Sequence, residues 1–277
     1  MMKRYPNGNL SKNLYHVVLA VKYELLKHMR SKRIVINLIL AIVLPLLFYI
    51  IPKAYNMDFP AHSEDFAQMN LGFVTTLIII CAVFFAGDAI VSEFEKKTGL
   101  ITFLTPQRKT SMFLGKYLAA FIAVLVMVSV YYMIANLEII ILYGLNSIPE
   151  VMGLSYLISL LYITSALSVV YIFSSVMKGT ISSSLLSFST LMMTMPIISG
   201  LLFFVNVEPW FLVTYSSGLI TDVFSGIGTT MTIEMGGGGD EITMYSPQFN
   251  IGIIMMVLYA VGLYLVSIFI TMRREVV

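Results

Sequence analysis

Six apolar runs of about twenty residues constrain this chain more than anything else in it. They lie at about 34–51, 69–87, 117–136 (with an extension open to 143), 154–177, 181–205 and 250–271. Each is long enough to cross a hydrocarbon core of ~30 Å as a helix. Helices are the default, because the bilayer leaves stray backbone polar groups unsatisfied. A barrel would show alternating segments of about ten residues, and the sequence has none. Composition agrees: 58% of residues are hydrophobic and 12% charged, with a mean hydropathy of +0.88. A soluble domain is roughly 25% charged. The expected fold is therefore an all-α integral membrane protein with six transmembrane helices. Residues 1–33 form an N-terminal segment and 34–277 the six-span domain.

Charge orients the spans. If there are six, sixteen of the seventeen Lys and Arg fall on one face, and Lys53 alone falls on the other. That predicts a multi-pass protein of the cytoplasmic membrane with both termini inside. Asp58, Glu64, Asp65, Glu150, Glu208, Asp222, Glu234, Asp240 and Glu241 gather on the outer face. The N-terminus does not read as a signal peptide, since its apolar run starts only at Ile34, is too long, and lacks a small-x-small site. Ahead of it, 10–33 reads as an amphipathic helix. Leu10, Leu14, Val17, Val18, Val21, Leu25 and Met29 share one arc, with Lys12, Lys27 and Arg30 opposite. Such a helix lies in the inner headgroup region against membrane lipid; the competing reading packs it on a cytosolic partner.

The loops differ in kind. Lys178-Gly179 is a short link that makes spans four and five a helical hairpin. The connection 206–249 is long, and "EPWFLVTYSSGLITDVFSG" within it is too apolar for a free loop and too interrupted for a span. It reads as a re-entrant or interfacial outer segment, with Pro209 at its start and Trp210 and Tyr215 at headgroup level. Beyond it, the four glycines of "MGGGGDE" suit a flexible tip. They lack the Lys-Ser/Thr of a phosphate loop.

No catalytic constellation, metal site or cofactor motif is present. There is no HExxH, GxSxG or Walker A sequence, and the single Cys, Cys81, sits in an apolar run as a packing residue. A pump or proton-coupled carrier usually buries several ionisable residues at mid-membrane, and these spans hold almost none. Glu138, about 30 Å along a helix from Lys116, is expected at the outer interface in water, with a residue lining a substrate path as the alternative. Met192, Met193 and Met195 read as plastic packing beside a kink at Pro196, not as copper ligands. Ser159, Ser165, Ser168, Ser182, Ser183, Ser184, Ser187 and Ser189 read as small helix-packing residues, with a polar translocation surface as the alternative that the sequence does not separate from it.

The connection "SEFEKKTGLITFLTPQRKTSMFLGK", 92–116, concentrates charge between two apolar runs. Glu93 and Lys97 stand at i and i+4 in the favourable order. An apolar patch of Leu100, Ile101, Phe103 and Leu104 ends at Pro106, and Thr110 or Ser111 is placed to cap the third helix. A topology signal needs the Lys and Arg but neither the two Glu nor the patch; a rigid lever for a cytosolic partner needs all of them. The stretch resembles the cytoplasmic segment of ABC-2-type permeases, the membrane subunits of one class of ATP-binding-cassette exporters. Glu93, Glu95, Thr98, Leu100, Leu104, Pro106, Arg108 and Lys116 fill the family's pattern, with its Gly-Thr order inverted here as Thr98-Gly99. The basic N-terminal helix, the six spans, Pro-Trp after span five and the terminal Arg-Arg-Glu follow in the family's order.

The resemblance implies a permease without its own ATPase activity, moving substrate outward with ATP hydrolysed by a separate ABC ATPase subunit. A second permease half, identical or related, would complete it. The segment 93–108 would be the coupling helix, with Leu14, Val18, Val21 and Leu25 on the elbow helix. The rival reading is a non-transporting membrane scaffold or assembly factor. An intramembrane enzyme is disfavoured, and no nucleic acid is called for.

Overall fold

The structure, a computed structural model, describes residues 9–95, 109–225, 231–234 and 241–274. Among the described residues, six helical segments are long and apolar enough to cross a membrane: Lys32–Ala54, Ser63–Glu95, Lys109–Tyr143, Met152–Val176, Thr180–Phe204 and Phe249–Arg273, here spans 1 to 6. Their number is the six expected, and spans 2 and 3 run longer at both ends than the apolar runs 69–87 and 117–136. Helix α1 (Asn9–Met29) precedes them, and α2 (Lys32–Ala54) is span 1. Span 2 comes in three pieces, α3 (Ser63–Leu71), α4 (Val74–Ala86) and α5 (Val91–Glu95). Spans 3 and 4 are the continuous helices α6 (Lys109–Tyr143) and α7 (Met152–Val176). Span 5 joins α8 (Thr180–Ser189) to α9 (Met195–Phe204). The short helices α10 (Val213–Ser216) and α11 (Leu219–Ser225) follow. Span 6 joins α12 (Phe249–Leu258) to α13 (Tyr264–Arg273). The third helix starts at Lys109, so Thr110 and Ser111 lie inside it rather than capping it. The two ends of the bundle are named below by their sequence charge: a basic end with Arg33, Lys116, Lys178 and Arg274, and an acidic end with Glu64, Asp65, Glu150 and Glu208.

Spans 2, 3 and 4 make the core. In their most apolar stretches 67%, 50% and 67% of residues are buried, against 17% in each of spans 1, 5 and 6. The largest wholly buried side chains come from these three: Leu77, Ile78 and Phe85, then Met127 and Tyr131, then Tyr162, Ile163 and Tyr171. Spans 1, 5 and 6 keep most of their apolar surface outward, as lipid-facing helices do.

Helix α1 seats on span 3. The close approach needs Gly115, where an added Cβ would stand 2.5 Å from the Ala20 Cβ. His28, buried, sets its ring edge-on to Phe85 at 5.1 Å. Burial pushes its pKa below the ordinary imidazole value; Glu24 acts against that shift and Lys27 with it. Val21 and Leu25 are half-buried, whereas Leu14 and Val18 are exposed. The apolar arc therefore faces the bundle only in part.

The serines of span 4 hold span 6. Ser165 Oγ donates to the Met256 carbonyl and Ser168 Oγ to the Ala260 carbonyl, each at 2.8 Å. Ser159, Ser165 and Ser168 are all fully buried, as packing residues should be. The Ala260 bond falls on a turn of π-helix, Tyr259–Leu263, where span 6 widens. A second π turn, Thr190–Thr194, stands just before Pro196 in span 5. Proline lacks an N–H and its ring collides with the carbonyl four residues back. The wider turn relieves both, so the expected kink takes the form of a π turn.

At the acidic end, α10 and α11 tuck Val213, Leu219, Ile220, Val223 and Phe224 inward, against α3 and spans 4 and 6. Trp210 is half-exposed and Pro209 buried, while Tyr215 turns inward. A two-stranded antiparallel ribbon, β1 (Met231–Glu234) and β2 (Glu241–Met244), pairs Met231 with Met244 and Glu234 with Glu241. It adds to the all-helical frame; the glycine run 236–239 lies outside the described residues.

Glu138 is not in water. It is 3% exposed, and its Oε2 accepts from Asn70 Nδ2 at 2.7 Å. Tyr131 donates to the Asn70 carbonyl at 2.7 Å, beside the break between α3 and α4. The helix runs on to Tyr143, and α3 packs against it, which covers the carboxylate. Glu138→Ala should orphan the buried Asn70 amide and lower stability by about 1–3 kcal/mol. Glu138→Gln, which keeps an acceptor, should cost less. Thermal unfolding in detergent reads both, and equal losses would refute the pairing.

Candidate functional site

Span 2 breaks a second time at the basic end. Between Ala86 and Val91 the chain makes a turn through Gly87, Asp88, Ala89 and Ile90 before α5 resumes. Gly87 suits that turn, since a Cβ there would stand 2.5 Å from the Val83 carbonyl oxygen and 2.6 Å from Ser184 Oγ. Ala89, Ile90 and Val91 are buried. The Ala89 N–H still reaches the Ala86 carbonyl and the Ile90 carbonyl the Glu93 N–H, each at 3.1 Å, but the Ile90 and Val91 amides and the Ala89 carbonyl turn to side chains. An unpaired buried amide or carbonyl costs about as much as a lost hydrogen bond.

Other spans supply the partners. From span 4, Ser174 Oγ, fully buried, accepts from the Ile90 N–H at 3.0 Å and the Val91 N–H at 3.1 Å. Span 5 contributes Ser183 Oγ, which donates to the Gly87 carbonyl at 2.8 Å. Lys116 Nζ on span 3 donates to the Ala89 carbonyl at 2.8 Å and to Glu93 Oε1 at 2.6 Å. Arg33, opening span 1, donates to the Phe84 carbonyl at 3.0 Å and to Asp88 Oδ2 at 2.9 Å. Beyond the break, Glu95 Oε2 accepts from the Thr180 N–H at 3.0 Å, at the start of span 5. Arg274, after span 6, lies over the Phe94 ring at 4.4 Å and donates to the Ser175 carbonyl at 2.9 Å. Burial pulls the Arg274 guanidinium below its ordinary pKa. Every other span thus has a side chain or terminus in this clamp.

The sequence pairing of Glu93 with Lys97 did not anticipate Lys116, which is 5% exposed and reaches Glu93 across 23 residues. Buried beside a carboxylate, the ammonium keeps a counter-charge and a carbonyl, which a lone buried Lys would lack. Thr98, Leu100, Leu104, Pro106 and Arg108, with Lys97, lie outside the described residues. Of the expected coupling residues, the described part holds Glu93 in the clamp and Glu95 exposed beside it. Ser174 and Ser183 carried no sequence signal beyond small size. Next to the clamp, a cavity of about 680 Å³ opens between spans 1, 2 and 5, walled by Ile36, Leu40, Ile80, Phe84, Ile181 and Leu185, with the Arg33–Asp88 pair on its lining.

Six candidate spans around a clamped, broken second helix define a polytopic membrane protein. The family model described as ABC-2 family transporter protein matches residues 20–193, from within α1 into span 5. That is more than half of the chain, so the chain belongs to the ABC-2 family of transporter membrane proteins. Members are membrane subunits that typically lack the ATPase domain and go with an ATPase partner. No individual curated protein matches the chain.

Ser174→Ala should leave the Ile90 and Val91 amides without an acceptor. Their hydrogen exchange should quicken by the equivalent of about 1–3 kcal/mol of lost protection. Ser175 instead donates to the Ile172 carbonyl of its own helix at 2.7 Å, so Ser175→Ala should leave both amides unchanged.

Proposed function

We propose that this chain is the transmembrane half of an ATP-driven exporter in the cytoplasmic membrane, with both termini inside. It pairs with a second half, and each half docks a separate ABC ATPase subunit. The segment 93–108 is the coupling helix. Glu93 and Glu95 begin it; Thr98, Leu100, Leu104, Pro106 and Arg108 complete the handle. The observation that carries this reading is the clamp. A displacement of Glu93 pulls on Lys116 of span 3, one of Glu95 on the start of span 5, and one of Phe94 on Arg274 after span 6. A connection serving topology alone would need no such bonding to the helices it joins.

The remaining parts fit the same scheme. The exposed Leu14 and Val18 of α1 suit an elbow helix lying in the inner headgroups, with membrane lipid against them. The segment with Pro209, Trp210 and Tyr215 is the re-entrant closure of the outer side. Residues 1–33 carry the elbow and 34–277 the six-span domain. The apolar cavity between spans 1, 2 and 5 favours an apolar or amphipathic cargo.

Glu93→Ala combined with Glu95→Ala should uncouple transport while the permease stays inserted. Either the ATPase subunit no longer co-purifies with the full chain, or its turnover in the complex falls. Unchanged values of both would remove the coupling assignment. Glu93→Gln, which keeps an acceptor for Lys116, should preserve expression and membrane insertion.

A further inference from the structure

At the acidic end, a second cavity of about 360 Å³ opens between the end of span 5, the α10–α11 segment and the connection that leads from β2 into span 6. Its walls combine aromatic rings with a carboxylate. Phe203, Tyr215 and Tyr245 line it, with Phe203 stacked on Tyr245 at 6.5 Å and edge-on to Tyr215 at 6.0 Å between ring centroids. Asp222 lines it too. Gly218 lies beside that carboxylate, where a Cβ would touch Asp222 Oδ2 at an ordinary contact distance of 3.6 Å. Thr214 Oγ1, also on the lining, is buried without a hydrogen-bond partner.

The charge here is unbalanced. Among the described residues Asp222 receives one long bond, from Thr221 Oγ1 at 3.4 Å, and no Lys or Arg pairs with it. Glu208 stands close by, accepting from Tyr215 Oη at 3.2 Å. At this end of the bundle the described residues offer one cation, Lys53, and it is engaged with Tyr49. A half-buried carboxylate without a counter-ion is costly. Aromatic faces attract cations, and organic ammonium ions most when the site is dry.

We propose that this pocket binds a small organic cation, a quaternary or primary ammonium group, with Asp222 as its counter-ion and Phe203, Tyr215 and Tyr245 as its aromatic walls. The assignment needs no ATPase and no partner half, so it stands or falls separately from the transport reading. Burial pushes the Asp222 carboxyl above the usual carboxylate range, against the pull of Thr221. Tyr215 is pushed up as well, by burial first and then by the nearby Glu208 carboxylate, with Asp222 adding to it. The Asp222 shift marks its burial, and the Tyr215 shift its burial together with the two carboxylates beside it. The ammonium group has two sources, a free amine in solution or the headgroup of a choline lipid.

The test uses the full chain in nanodiscs and tetramethylammonium chloride as the probe. Binding is followed by calorimetry and by fluorescence of Trp210, the chain's one tryptophan. A saturable response that sodium chloride of equal ionic strength does not reproduce is expected. Asp222→Asn, similar in size and still able to accept from Thr221, should weaken it about tenfold or more. Tyr245→Leu should weaken it as well, and it leaves intact the bond from Tyr215 Oη to the Tyr245 carbonyl, 3.1 Å. Each variant is checked for a single symmetric elution peak, and Phe203→Leu replaces one that fails. No saturable binding, an equal response to sodium, or full retention in both variants would overturn the proposal. Loss of the response in phosphatidylcholine discs with retention in phosphatidylglycerol discs supports the site and identifies a lipid headgroup as occupant. The same response in both supports the site with a soluble amine.

Discussion

A broken helix inside a membrane protein must find partners for its freed backbone groups, and that requirement organises this structure. Span 2 breaks twice. At the acidic end the Asn70 carbonyl is taken by Tyr131. At the basic end the carbonyls of Phe84, Gly87 and Ala89 are taken by Arg33, Ser183 and Lys116, and two amides by Ser174. Water would otherwise do this, and hydrocarbon offers none. The donors and acceptors therefore come from other spans, and each one fixes a helix against span 2. The packing order follows from the breaks.

Charge is used in the same economy. Lys116 is almost wholly buried, yet its ammonium holds a carbonyl and a carboxylate at once. A neutral side chain of similar length would satisfy Ala89 but bring no positive charge to Glu93. A buried ion pair adds little net stability over an apolar pair, but losing one partner is costly. The pair is thus better understood as fixing geometry: it sets where α5 leaves the bundle relative to span 3.

Hydropathy and Lys/Arg placement were enough to read the six spans, the hairpin at Lys178-Gly179 and the packing role of Ser159, Ser165 and Ser168. These depend on local composition, which a sequence displays. The clamp was hidden, because its bonds join residues far apart in the chain: Glu93 with Lys116, Val91 with Ser174 and Gly87 with Ser183. A spacing rule for one helix finds only neighbours at i+3 and i+4, and so it offered Lys97. Glu138 was misjudged for a related reason. Its depth along span 3 placed it near the interface, but depth says nothing of α3, which lies over it. The inward turn of Tyr215 likewise depends on Tyr245, thirty residues on.

The two π turns give the proposed cycle a mechanical route. The clamp grips span 5 at its start, through Thr180 and Ser183, and the first π turn follows at Thr190–Thr194. Span 6 is gripped at its basic end through Arg274, and its π turn at Tyr259–Leu263 is held by Ser168 of span 4. A π turn is already a widened point in the hydrogen-bond ladder, and such turns gather at functional sites. Bending there costs less than bending a regular helix. The far half of span 5 buries little of its surface and so meets little resistance from the core, whereas that of span 6 is tied to span 4 by the Ser165–Met256 bond. A displacement entering at α5 would then leave spans 2, 3 and 4 together and express itself beyond the π turn of span 5. For span 5, that far half is α9, whose Pro196, Ser199, Gly200 and Phe203 form one wall of the acidic-end pocket. In the proposed cycle, the end that would receive the push and the end that would open are joined by a helix with one π turn in it.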